Sequence, residues 1–163
     1  MAGVWKDVDR GYRALRVELM KLNDRSVVEV GVQGAQASAM HSGSKDRVTN
    51  AQVASWMEYG TVRNGEAHQP ARPAFRPTID EGGPRYYEMI KRGLYAVIDG
   101  KLTTQRLLAL VGERVVADIK SRIRAGIDPP LSDSRIREKK SSKPWIDTGQ
   151  LLAAITYLVR RKV

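Results

Sequence analysis

The sequence predicts an α+β fold: a small antiparallel sheet covered by two long helices, with a proline-rich arm and a basic loop. Three observations predict it. Apolar residues recur at helical spacing in three long stretches, two short segments near opposite ends of the chain alternate with a period of two, and the intervening stretches are dominated by proline, glycine or charge. The chain has 163 residues, enough for a single domain over 1–163, and at 42% apolar content it can build a core, which excludes disorder throughout. With one Phe, three Trp and six Tyr, that core leans on Val, Leu and Ile. There is no cysteine, which excludes disulfides, thiolate zinc sites and cysteine nucleophiles. No apolar run reaches the ~18 residues of a membrane span, and no charged-then-apolar leader follows Met1, so the chain is expected to be neither inserted nor exported.

Trp5, Val8, Tyr12, Leu15, Leu19 and Leu22 alternate at spacings of three and four, predicting a helix over Val4 to Leu22 within an N-terminal segment 1–24. Val27 to Val32 places Val28, Val30 and Val32 on one face, the pattern of a strand. Gly34 to Asp46 falls to Gly, Ala, Ser and Gln with only Met40 as an anchor, which predicts a slack loop. Thr49 followed by Gln52 has capping-box spacing, so a helix is expected over Asn50 to Tyr59, burying Val53, Trp56 and Met57 and stopped by Gly60.

Pro70, Pro73 and Pro77, with Pro84 just beyond, predict a stiff extended arm over 61–83, because each proline fixes its own φ and biases its predecessor toward extended geometry. Pro84 then opens a helix with Tyr87, Ile90, Leu94 and Val97 on one face and Gly100 behind it. A second long helix begins near Thr103 and carries Leu108, Val111, Val115, Ile119 and Ile123. The basic loop, 128–144, is too polar for a core strand, although it leaves room for a hairpin at the sheet edge. Asp147 is placed to cap a short helix, and Ile155, Tyr157 and Val159 alternate in a closing strand that should pair with Val27 to Val32.

No catalytic constellation emerges. His41 and His68 lie far apart without a carboxylate at helical spacing, so both read as solvated loop residues. No G-x-S-x-G elbow exposes a serine, and Gly82-Gly83-Pro84 reads as a turn for want of a phosphate-binding motif. Asp147-Thr148-Gly149 occurs once, in a chain lacking the β-rich fold and second copy of an aspartic protease. The chain is therefore expected not to be an enzyme, and to need no cofactor or metal.

Net charge is +10 and the pI near 10.1. The excess is local: Arg135, Arg137, Lys139, Lys140 and Lys143 crowd the basic loop, and Arg160, Arg161 and Lys162 close the chain. Such a loop attracts a phosphate backbone by counterion release without reading bases, and it equally suits an acidic protein neighbour or plain solvation. It lacks the interleaved aromatics of a single-strand binder.

Three strings occur in a telling order. Ala54 to Thr61 (ASWMEYGT), Pro70 to Pro77 (PARPAFRP) and Trp145 to Leu151 (WIDTGQL), running on into Ile155-Thr156-Tyr157, resemble the pattern of the tail-completion or neck family of tailed double-stranded-DNA bacteriophages, also known as minor tail components or virion morphogenesis proteins. The resemblance spans about Val27 to Val159. Ala74 is inserted before the aromatic of the second string, Trp145 replaces the usual Leu, and the basic loop is longer and more charged than the family pattern.

The resemblance implies a non-enzymatic virion protein at the head–tail junction, made in the host cytoplasm. It implies a ring, usually hexameric, that joins the head connector or adaptor to the tail tube or terminator and surrounds the genomic DNA channel, with no membrane partner. On that expectation Arg72, Phe75 and Arg76 are candidate inter-subunit contacts on the arm, an aromatic plug between charged anchors. Arg135, Arg137, Lys139, Lys140 and Lys143 are candidates for contact with channel DNA or an acidic neighbouring ring, and the first helix is a candidate oligomerisation element. The alternative is a sequence-independent nucleic-acid-binding protein.

Overall fold

The computed structural model describes residues 11–23, 26–41, 47–133, 136–137, 144–146 and 149–161. In chain order the elements are α1 (Tyr12–Asn23), β1 (Ser26–Val32), α2 (Gly34–Ser38), α3 (Asn50–Tyr59), β2 (Thr61–Arg63), β3 (Glu66–Gln69), α4 (Phe75–Ile98), α5 (Thr104–Ala125), α6 (Gln150–Ala154) and β4 (Ile155–Arg161). This is an α+β architecture with two small antiparallel sheets, β1–β4 and β2–β3.

β1 and β4 pair over seven residues without a register shift, from Ser26 opposite Arg161 to Val32 opposite Ile155. Val28, Val30, Val32, Ile155 and Tyr157 fall on the face that meets α5. The approach is close enough at Gly112 that a Cβ there would lie 2.7 Å from the Tyr157 ring and 2.8 Å from Val28, so any larger residue would push the sheet away. Val111, Val115, Ile119 and Ile123 of α5 are buried at the helical spacing the sequence shows.

Only one long helix covers the sheet, however. α4 packs along α5 instead, so the helices are layered one behind the other. The buried line on α4 is Tyr86 and Val97 with Met89 and Leu94 beside it, whereas Tyr87 and Ile90, expected on the core face, are exposed. The Tyr86 ring lies on α5, its hydroxyl donating to Asp118 Oδ2 at 2.9 Å.

Several expectations change. The segment expected to be an extended arm over 61–83 is a β-hairpin, a short extended connector and the first turns of α4, which starts nine residues before Pro84. Pro77 sits in the first turn, where its missing N–H goes unneeded, and Pro84 lies inside the helix, tolerated because packing against α5 outweighs its local cost. The slack loop after Gly34 contains the short helix α2, and Met40 bridges Thr49. His41 is anchored: its Nδ1 meets Asn50 Oδ1 at 2.9 Å, and the fully buried Asn50 amide donates to the Gln36 carbonyl.

α3 has its capping box from Thr49 to Gln52 and ends at Gly60, though Trp56 is largely exposed. α1 is described from Tyr12; Trp5 and Val8 lie outside the described residues, and Tyr12 and Leu19 of its apolar stripe are exposed. The extra hairpin comes from 61–69 and forms its own sheet, separate from β1–β4. The Asp147 cap lies outside the described residues; Gly149, in the left-handed conformation, occupies the position before α6.

Candidate functional site

The three strings that occur in order along the chain meet in space. α3 ends at Gly60, whose φ of +75° suits glycine and whose Cβ, if present, would lie 2.6 Å from the Gln69 carbonyl oxygen. That close approach folds the β2–β3 hairpin back, so the returning strand carries Pro70 to Pro73 past the end of α3. The Arg72 N–H donates to the Met57 carbonyl at 2.7 Å. Gln69 Nε2 lies 3.2 Å from the Met57 sulfur.

Glu58 is the centre of the junction. It is buried, and its carboxylate accepts from the N–H groups of Ala74 at 2.7 Å, Phe75 at 3.0 Å and Arg76 at 2.9 Å. These are orphan donors at the start of α4, where Ala74 offers no side-chain cap of its own. A carboxylate on three N–H groups at a helix N-terminus is favoured by both the hydrogen bonds and the helix dipole. The same solution recurs at α5, where Glu18 of α1 accepts from Thr104 N–H at 2.8 Å.

Arg72 is buried, and its guanidinium donates to the carbonyls of Pro129 at 2.6 Å and Pro130 at 3.1 Å. Burial lowers its pKa, since the charged form gives up water for two carbonyl dipoles. Trp145 closes the junction from the third string: its indole N–H donates to the Arg72 carbonyl at 2.8 Å, and its ring meets Phe75 edge-on with centroids 5.7 Å apart. Beside this junction a cavity of about 860 Å³ is lined by Met57, His68, Gln69, Arg72, Pro129 and Pro130.

Of the three residues expected on the arm, Arg72 and Phe75 are therefore committed to their own chain. Within the subunit, the Arg72 guanidinium is turned inward onto the Pro129 and Pro130 carbonyls. Arg76 remains outward, its side chain 85% exposed and 3.8 Å from Asp80. Of the basic-loop candidates, Arg137 is exposed, while Arg135, Lys139, Lys140 and Lys143 lie outside the described residues.

Elsewhere several basic residues of α4 and α5 are answered by carboxylates. Asp118 serves Arg85, Arg114 and the Tyr86 hydroxyl together, Glu113 pairs with Arg106, and Glu81 pairs with Arg122. Among the described residues no group of three His, Cys, Asp or Glu is placed to hold a metal. No described helix is long and apolar enough to cross a membrane.

Glu58 and Trp145 lie within the strings but are assigned no contact from sequence, and Glu18 is not singled out at all. A signal for Glu58 existed: an acidic residue in the last turn of a helix opposes that helix's own dipole, so its presence just before Gly60 points to service on another element. Glu18 and Trp145 carry no comparable local signal. Compared with known protein families, with curated proteins and with solved structures, the chain finds no match in any of the three.

Proposed function

We propose that the protein is a structural component of a tailed-phage particle, assembling as a ring at the head–tail junction. One observation carries the reading: the three strings behind the sequence resemblance converge in a single interlocked junction, with Glu58, Gly60, Arg72, Phe75 and Trp145 each in a specific contact. Exposed large apolar side chains also fit a chain that works in contact with copies or neighbours: Tyr12, Val17 and Met20 on α1, and Tyr87, Tyr95 and Ile98 on α4. A ring subunit needs two different surfaces, joined at a rotation that closes.

Electron microscopy of the purified protein, and labelling of the chain in particles, test this. Closed rings and a label on the head–tail axis are the expected result. A chain that stays monomeric, or a label away from the axis, overturns it. The competing assignment as a free nucleic-acid-binding protein predicts DNA affinity of the monomer falling steeply with salt, with a log–log slope of about −0.9 per phosphate neutralised.

A further inference from the structure

We propose that copies of this chain join edge to edge through the β1–β4 sheet, the free edge of β4 in one copy entering beside β1 of the next. The proposal rests on the ring reading and names the surface that makes the ring. Among the described residues, β1–β4 is a sheet of only two strands, so no third described strand lies along the outer side of β1 or of β4. These are edges of a kind that soluble proteins ordinarily protect with proline, bulges or very short strands. Here both strands run seven residues without proline or register shift, and they are rich in β-branched and aromatic side chains.

Direction and charge select the occupant. Because β1 and β4 are antiparallel, a neighbour related by rotation about a ring axis brings its β4 alongside β1 again antiparallel, so the ladder continues with the same sense and the same faces from copy to copy. β1 carries the acidic Glu29 and β4 the basic Arg160, which already pair within one copy; the same attraction operates across the joint. Beyond the C-terminal half of β1 lies a groove of about 540 Å³, bordered by Val30 and Val32 on one side and by Ala51, Ala54 and Ile79 of α3 and α4 on the other, apolar walls for an incoming strand. Twofold pairing of β4 with β4 would leave this groove empty and bring no acidic residue to the basic strand. In the joined sheet α5 lies outside, where the circumference is larger, and Glu29, Thr156, Leu158 and Arg160 face inward.

The absence of cysteine from the chain makes the test direct. Full-length Val27→Cys and Leu158→Cys proteins are made separately, mixed, and treated with a bismaleimide whose reach tolerates a slip of a few residues in register. Both positions lie on the sheet face away from α5 and leave the Glu29–Arg160 pair in place, and each variant is first checked for unchanged helicity and melting temperature. The expected result is a mixed cross-linked species forming roughly a hundredfold faster than between Val27→Cys and the exposed α4 variant Tyr95→Cys, because the joint supplies a high effective concentration. Faster cross-linking of Leu158→Cys with itself means twofold β4 pairing and overturns the proposal. Rings visible by microscopy without the mixed product overturn it while leaving the ring reading intact, and a chain monomeric throughout overturns both.

Discussion

Around Arg72 the chain is bonded to itself from three directions, whereas the β1–β4 sheet is joined by no third described strand and has one face turned away from α5. Both regions depend on residues distant in sequence: Met57 and Trp145 meet at Arg72, and Ser26 pairs with Arg161. The difference is in what each leaves exposed. The junction spends its charged and aromatic residues internally, while the sheet carries Thr156, Leu158 and Arg160 exposed on the face away from α5. The contact motif expected from sequence and the joining surface proposed above thus fall on different parts of the molecule.

The largest expected effect breaks the junction. Glu58→Ala strips the carboxylate from three N–H groups at the start of α4 and should cost about 3 kcal/mol, read from urea midpoints, with amide exchange rising first at Ala74 to Arg76. Arg72→Met should cost about 2 kcal/mol, because the Pro129 and Pro130 carbonyls lose their donor in a buried setting. Neither loss should be recovered by adding more protein if the junction is internal.

A smaller effect tests the α4–α5 contact. Burial, and then the hydrogen bond to Asp118, raise the Tyr86 phenol above its ordinary value, so the folded state favours the protonated form. The resulting stability is fully present below about pH 10 and is lost as pH rises through the raised value. Tyr86→Phe should flatten that alkaline decline in melting temperature. The smallest effect on folding sharpens the contrast with the junction. Leu158→Lys, on the exposed sheet face, should leave stability within about 0.5 kcal/mol of the parent while weakening assembly, measured by sedimentation.

Much of the fold was legible where local chemistry and tertiary packing agree. Thr49 and Gln52 announce α3, Thr103 announces α5, and alternation at Val28–Val32 and Ile155–Val159 gives both strands and their pairing. The first turns of α4 were not legible. Pro77, Gly82, Gly83 and Pro84 argue against helix by every local rule, and what overrides them is Glu58 on the N–H groups and Tyr86 on α5. The hairpin has a signal in Asn64-Gly65, a pair that favours the positive φ of a tight hairpin turn; it is easily passed over because the flanking strands are three and four residues long, mostly exposed, and show no buried alternation. The site residues split along the same line. The strings mark residues that pack together, but a string gives no indication whether an arginine faces a neighbour or its own chain.

The capping of α4 by Glu58 also has a mechanical meaning. The carboxylate ties the last turn of one helix to the first turn of another, and the hairpin springs directly from Gly60 at that same point. A displacement of the hairpin base is therefore felt at the start of the 24-residue α4 through the Glu58 hydrogen bonds, in addition to the contacts of the apolar interior.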